Sequence, residues 1–223
     1  MSKHLKRDLN FLKKEIMSIA SMAEEAMDKA ILALTERRPK LAEEVIREDE
    51  RIDQREVKLE EECLKVLALH QPVATDLRLI VVVIKVNNDL ERIGDLAVNI
   101  AERAAYLANC DPLQISFNLS GMADKVREML RRSLDALASS NPNLARNVLA
   151  MDDEVDDANR EIFVILQRLM QKDPTTIERA VHLLSVSRHL ERIGDLATNI
   201  AEDVVYMVEG ELVRHHPEVY DSG

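Results

Sequence analysis

The sequence predicts an all-α fold in which two tandem, sequence-related three-helix bundles hold six long antiparallel helices. The first observation is composition: 46% of the 223 residues are hydrophobic, 32% are charged and only five are glycine, which is typical of a helical protein. The second is that apolar residues recur at steps of three and four, the period of a helix with one buried face. The third is a repeat, because Leu90–Glu102 returns as Leu190–Glu202 with twelve of thirteen residues identical.

Three helices are predicted in the first half of the chain. The first has a continuous apolar seam over residues 5–34 and ends before Pro39, because proline disfavours a helical residue before it and suits the first turn of a new helix. The second has its seam over residues 41–66 and closes at Pro72. The third runs from about Thr75 to Ala108. Short turns make neighbouring helices antiparallel, which predicts an up-down-up bundle.

The second half repeats this plan. A fourth helix has its seam over residues 119–137 and ends before Pro142, and a fifth, with its seam over residues 149–169, ends before Pro174. A sixth has its seam over residues 183–200. Pro39 and Val45 are matched by Pro142 and Val148, but Leu90 is matched by Leu190, so the first unit holds three extra residues near its second turn.

A domain boundary is predicted between the two units. The stretch Asn109–Ser116 has no helical period and contains Asp111-Pro112. We therefore expect a first bundle over residues 1–112 and a second over residues 113–223, with the residues after Gly210 frayed.

Composition also limits the function. A formal charge of −11 argues against a nucleic-acid partner, which needs a concentrated basic face. Two cysteines form no disulfide framework, and the first ten residues lack an apolar signal core. The most hydrophobic run, Leu79–Ile84, is too short to span a bilayer. We expect a soluble, cytoplasmic protein without direct membrane insertion.

The repeated segment carries a polar stripe on the third helix of each unit. With about 100° per residue, Glu91, Asp95, Asn99 and Glu102 lie nearly opposite the apolar seam. Earlier in the same helix the stripe is apolar, which predicts that the start of the helix is buried on both sides. The apolar members are Leu77, Val81 and Ile84.

Acidic residues on the second helix are predicted to lie level with this stripe. An antiparallel turn at Pro72 brings two carboxylates of the second helix beside two of the third, and a turn at Asp173-Pro174 does the same in the second unit. The level pairs are Asp49 with Asp95, Asp53 with Glu91, Asp152 with Asp195, and Asp156 with Glu191.

Four carboxylates at one level raise one another's pKa unless a cation lies among them. A hard metal ion with oxygen ligands is one solution. Nearby arginines, namely Arg51, Arg55 and Arg92, are another, and a solvated face with weak ion pairs is a third. The residues alone leave these alternatives open.

Two further residue types within the repeat have two interpretations each. Asn99 and Asn199 are either ligands or caps of a neighbouring turn. Gly94 and Gly194 each cost about 1 kcal/mol of helix stability relative to alanine, which indicates either the close approach of a ligand or tight packing of helices, and packing is favoured.

No motif indicates catalysis. The sequence lacks a phosphate-binding glycine loop, a nucleophile elbow and the Glu-x-x-His spacing of di-iron bundles. His182 and His189 are therefore interpreted as surface or core-edge residues, and the protein is predicted not to be an enzyme.

The chain resembles the PhoU family, the phosphate-transport system accessory and regulatory proteins of bacteria. The resemblance rests on Gln71–Arg78, Asn88–Asp95 and Arg188–Glu202, and it extends over the whole length, the internal repeat and the six helices. Ser185 and Leu196 depart from the family's usual pattern.

The resemblance implies a function and a set of partners. It implies a negative regulator of the phosphate-starvation response, an adaptor that links the ATPase subunit of the phosphate ABC transporter to a sensor histidine kinase and modulates phosphate uptake. It also implies a homodimer, and metal at the acidic motifs in some members, where Mg, Mn, Fe or Zn are candidates. The alternative is a metal-binding helical bundle with a scaffold role or a metal-dependent enzymatic role.

Overall fold

A computed structural model describes residues 3–211, and in this range the fold consists of eight α-helices, four in each repeat. In the first repeat these are α1 (Lys3–Thr35), α2 (Pro39–Glu48), α3 (Glu50–His70) and α4 (Ala74–Ala108). In the second they are α5 (Leu119–Ser139), α6 (Pro142–Leu149), α7 (Asp152–Lys172) and α8 (Ile177–Glu209), with a 3₁₀ turn at Pro174–Thr176. Strands do not occur in this part of the chain, so the all-α prediction is confirmed.

The predicted helices one, three, four and six are confirmed as α1, α4, α5 and α8. The second and fifth predicted helices are each divided, α2 from α3 at Asp49 and α6 from α7 at Ala150-Met151. Asp49 keeps helical φ and ψ, but its carbonyl accepts a hydrogen bond from Ile52 N at 2.7 Å, three residues ahead. This local tightening to a 3₁₀ pattern involves neither proline nor glycine, so the sequence contains no breaker residue that would predict it.

The helix ends follow from the residues that the sequence places there. Pro39 and Pro142 occupy the first turns of α2 and α6, and the Asn141 side chain accepts from the N–H groups of the first turn of α6. Gly210 ends α8 in the left-handed conformation at φ 80°. The expected fraying after Gly210 concerns mainly residues 212–223, which lie outside the described residues.

The two repeats place their equivalent residues in equivalent surroundings. Residues 91–100 and 191–200 show the same succession of buried, half-buried and exposed positions. In the first repeat the buried Asn87 donates from Nδ2 to the carbonyl of Glu56 at 2.8 Å. At the same place in the second repeat, Ser187 Oγ donates to Asn159 Oδ1 at 2.6 Å. In each repeat, a hydrogen bond at the same place therefore holds the two helices of the hairpin in register, α3 with α4 and α7 with α8.

The repeats are joined by antiparallel packing of α4 against α8. At one end Lys85 forms an ion pair with the buried Asp203 and lies 6.0 Å from the centroid of the Tyr206 ring. At the other end the Tyr106 ring stacks on His182 with centroids 4.0 Å apart. The hydrophobic core is continuous through both repeats, since apolar residues of all eight helices belong to one buried cluster.

The start of α4 differs from the prediction. Leu77 is 40% exposed and Val81 and Ile84 are half-buried, so the helix is not covered on both sides there. None of the helices within residues 3–211 is long and apolar enough to cross a membrane.

Candidate functional site

The first acidic cluster, Asp49, Asp53, Glu91 and Asp95, forms where the α2–α3 junction faces the middle of α4. Asp49 and Glu91 are half-buried, while Asp53 and Asp95 are exposed. A Cβ atom added at Gly94 would lie only 3.1 Å from Asp49 Oδ1, which shows how closely this carboxylate approaches the α4 backbone. The level arrangement that the hairpin length predicts is therefore present.

The pKa shifts of these carboxylates show that they lie close enough to repel one another. Burial, and then the neighbouring charges of Asp53 and Asp95, raise the pKa of Asp49 to about 6. The pKa of Glu91 is raised by burial and by Asp95, Asp53 and Asp49, among others. Burial and Asp95 likewise raise the pKa of Asp53. Each shift has the direction that an uncompensated group of negative charges produces.

The three candidate arginines do not neutralise the first cluster. Arg55 turns away towards α1, where its Nη2 lies 2.7 Å from Glu15 Oε2 and its Nη1 donates to Ser18 Oγ. Arg51 and Arg92 are exposed. Within residues 3–211, none of the ion pairs includes a carboxylate of this cluster.

The second cluster, Asp152, Asp156, Glu191 and Asp195, is built in the same way at the start of α7. Burial and then Asp195 and Asp156 raise the pKa of Asp152 to about 6. The pKa of Asp195 is raised by burial and by Asp156. The pKa of Glu191 is also raised, chiefly by burial, but Arg188 and Arg192 oppose the shift. The second cluster therefore has arginine charge beside Glu191, although the pKa of Asp152 is raised as far as that of Asp49.

The two asparagines occupy equivalent, half-buried positions. Asn99 donates from Nδ2 to the carbonyl of Asp95 at 2.7 Å, so its amide is tied to its own helix and caps no neighbouring turn. Asn199 is half-buried at the equivalent place. The structure thus places both beside the clusters without assigning a ligand role to either.

The described side chains do not form a ready metal centre. Within residues 3–211 there is no group of three or more His, Cys, Asp or Glu side chains whose placement could hold a metal ion. The carboxylates are neighbours, but their oxygens do not converge. Metal at these clusters therefore stays a prediction.

His182 and His189 lie at the contact between the repeats. His182 stacks on Tyr106, and His189 Nε2 lies 3.0 Å from Ser185 Oγ. The buried Nδ1 atom of His189 has no partner, and burial, followed by the charge of Arg103, lowers the pKa of this imidazole. Neither histidine joins an acidic cluster.

The chain is similar over nearly its whole length to proteins of one family. The family profile described as PhoU domain matches twice, at residues 16–104 and 119–204. The phosphate-specific transport system accessory protein PhoU homolog of Aquifex aeolicus is 42% identical over 209 residues, which are 94% of this chain and 95% of that protein. The homolog of Deinococcus radiodurans is 39% identical and aligns with 94% of this chain and 99% of its own length.

Solved structures agree with these sequence matches. The crystal structure of PhoU from Pseudomonas aeruginosa superposes with a TM-score of 0.90 at 35% identity, covering 92% of this chain and 99% of that one. The phosphate transport system regulatory protein PhoU from Streptococcus pneumoniae gives 0.83 at 27% identity, with 94% and 99% covered.

The two repeated glycines should respond differently to alanine. A Cβ at Gly194 meets its nearest atom, Val155 Cγ1, at 3.5 Å, an ordinary contact, so Gly194→Ala should stabilise the protein by about 1 kcal/mol. A Cβ atom added at Gly94 would lie 3.1 Å from Asp49 Oδ1 and 3.2 Å from Ile52 Cδ1. These close contacts should cancel part or all of the gain in stability. Chemical denaturation of the two variants measures the difference, and an equal gain in both would show that the close approach at Gly94 has no energetic weight.

Stability should fall as pH rises through the titration range of Asp49. The folded protein holds this proton up to about pH 6, whereas the ordinary carboxyl releases it near 3.8, so the folded state binds more protons in that interval. Over this pH interval, the free energy of unfolding of the wild type should fall by about 1 kcal/mol relative to that of Asp49→Asn, after allowance for solvent screening. This corresponds to about 2–4 °C in Tm. Thermal unfolding in metal-free buffer tests this, with exposed Glu43→Gln as the control, and parallel pH profiles for wild type and Asp49→Asn would contradict it.

Proposed function

The chain belongs to the PhoU family, and from that membership we propose that it is a negative regulator of the bacterial phosphate-starvation response. In this role it is an adaptor between the ATPase subunit of the phosphate ABC transporter and a sensor histidine kinase, and it modulates phosphate uptake. The observation that carries the proposal is similarity to accessory proteins of phosphate transport over 94% of the chain. The protein acts by binding, in the cytoplasm and as a homodimer, and not by catalysis.

Metal at the two acidic clusters belongs to the same proposal. The donor atoms are of the type that a hard cation prefers, because they are carboxylate oxygens, and their mutual repulsion raises their pKa values. An ion would bind only if these oxygens turned towards one another. Asp49, Asp53, Glu91 and Asp95 would hold the ion in the first repeat, with Asn99 Oδ1 at its edge. The second set is Asp152, Asp156, Glu191 and Asp195, with Asn199. The bound ion, of which Mg, Mn, Fe and Zn are candidates, would supply positive charge that offsets the carboxylate repulsion.

The positioning residues act before any ion binds. Gly94 leaves room for Asp49 against α4, and the Asn87–Glu56 hydrogen bond fixes the level of α3 beside that helix. The half-buried oxygens of Asp49 and Glu91 are thereby kept at the helix interface, while Asp53 and Asp95 remain open to solvent. A partner or an ion would reach the cluster from that open side.

Removal of the gene should make phosphate-starvation genes constitutive. We expect alkaline phosphatase activity in high phosphate in the deletion strain, because the kinase would no longer be held in its signal-off state. The wild-type gene should restore repression, and tagged protein should capture the kinase and the transporter ATPase from cell extract. Normal repression in the deletion strain would refute the adaptor function.

Metal content should depend on the acidic clusters. Protein purified without chelator should contain a divalent metal ion, and Asp49→Ala combined with Asp95→Ala should remove the share held by the first repeat. Glu43→Ala with Glu61→Ala is the matched control, since it removes the same charge from exposed positions outside the clusters. Elemental analysis of the three proteins decides, and an unchanged metal content in the cluster variant would exclude this site.

A further inference from the structure

The N-terminal segment of α1 is positively charged, whereas the molecule as a whole is negatively charged. Residues 3–14 contain five lysines and arginines and one aspartate, within a chain whose formal charge is −11. These five side chains form the basic face of the molecule. They are Lys3, Lys6, Arg7, Lys13 and Lys14.

Within the described residues, Arg7 is the one member of this face that forms an ion pair. Leu5, Leu9 and Leu12 of the segment are buried in the core, which turns the basic residues outward. Asp8 contacts Arg7 and also His70 of α3, whose Nε2 lies 3.0 Å from its Oδ2. The four lysines of the basic face form no ion pair within residues 3–211.

Exposed apolar side chains surround the basic face. Phe11, in its middle, is 46% exposed. The contact between Asp8 and His70 brings the α3–α4 turn alongside, where Leu69 is 68% and Val73 is 76% exposed. On the other side, Val208 lines a cavity of about 410 Å³ together with Lys6 and Lys13.

We propose that this end of the molecule binds the surface of an anionic lipid bilayer. Lysine ammonium groups interact with headgroup phosphates as point charges, and large apolar side chains beside them can enter the boundary between headgroups and acyl chains. Nucleic acid matches the charge but offers no apolar layer to Leu69 and Val73, and its single strands are bound by aromatic stacking, for which the face has one ring. The proposal does not depend on the regulatory function proposed above.

The net negative charge of the protein does not prevent this contact. Asp95 lies 21 residues along α4 from Ala74, which is about 30 Å at the rise of a helix. That distance is several times the Debye length of about 8 Å at physiological salt, so the first acidic cluster is screened from the bilayer. Two acids lie nearer: Asp8 is engaged by Arg7 and His70, and Asp76 shares the cavity wall with Lys6 and Lys13 and offsets part of their charge.

Vesicle sedimentation of the full chain tests the proposal. The protein should sediment with vesicles of phosphatidylcholine mixed with phosphatidylglycerol and remain in solution with phosphatidylcholine alone. Binding should weaken as salt rises. Each lysine near such a surface contributes about fivefold in affinity, so Lys6→Gln, Lys13→Gln and Lys14→Gln together should reduce binding roughly 100-fold.

Two further variants separate position from charge. Lys40→Gln, Lys58→Gln and Lys172→Gln change the net charge equally at exposed sites elsewhere, and this variant should bind as the wild type does. Phe11→Ser should weaken binding several-fold and leave its salt dependence unchanged, because it removes only an apolar contact. Thermal unfolding of all variants verifies that they are folded.

Three results would overturn the proposal. One is absence of binding to the anionic vesicles at low salt. Another is equal loss in the two triple-lysine variants, which would indicate an attraction that is not localised. The third is binding that depends on the basic face but is seen with duplex DNA or an acidic peptide and not with vesicles, since the partner would then be a different polyanion.

Discussion

The antiparallel contact between α4 and α8 is the interaction on which the rest of the molecule depends. These two long helices lie at the centre of the fold, and each packs against the other helix of its hairpin and contributes two carboxylates to the acidic cluster of its own repeat. The contact is mainly apolar, with the Lys85–Asp203 ion pair near one end and the Tyr106–His182 stack near the other. Because a one-turn shift would separate both pairs at once, these polar and aromatic contacts specify the register that an apolar seam alone would leave open.

Much of the architecture follows from the sequence because its causes are local or repeated. Proline at the helix starts and an apolar period of three to four define the helices. The turn at Pro72 is enough to place Asp49 and Asp95 at one level, and the repeat shows the same relation in the second unit. Hairpin length is a simple geometric constraint, so a level match of this kind can be predicted from residue numbers.

What could not be predicted depends on contacts between distant helices or on hydrogen bonds without a residue signature. The helix break at Asp49 arises from a tightened backbone bond in a residue with ordinary helical angles. The direction of Arg55 is decided by Glu15 and Ser18 on α1, a helix far away in sequence. The exposure of Leu77 shows that an apolar stripe predicts burial only where another element covers it.

The two acidic clusters are similar in layout and differ in the arginines beside them. In the first, Asp49 lies against Gly94 with no arginine among the causes that shift its pKa. In the second, Arg188 and Arg192 act on Glu191. Arginine charge therefore opposes the repulsion at Glu191, although the pKa of Asp49 and that of Asp152 are each raised to about 6. Because the repeated residues are nearly identical, this difference comes from Arg188, where the first repeat has Asn88, and from helix packing outside the motif.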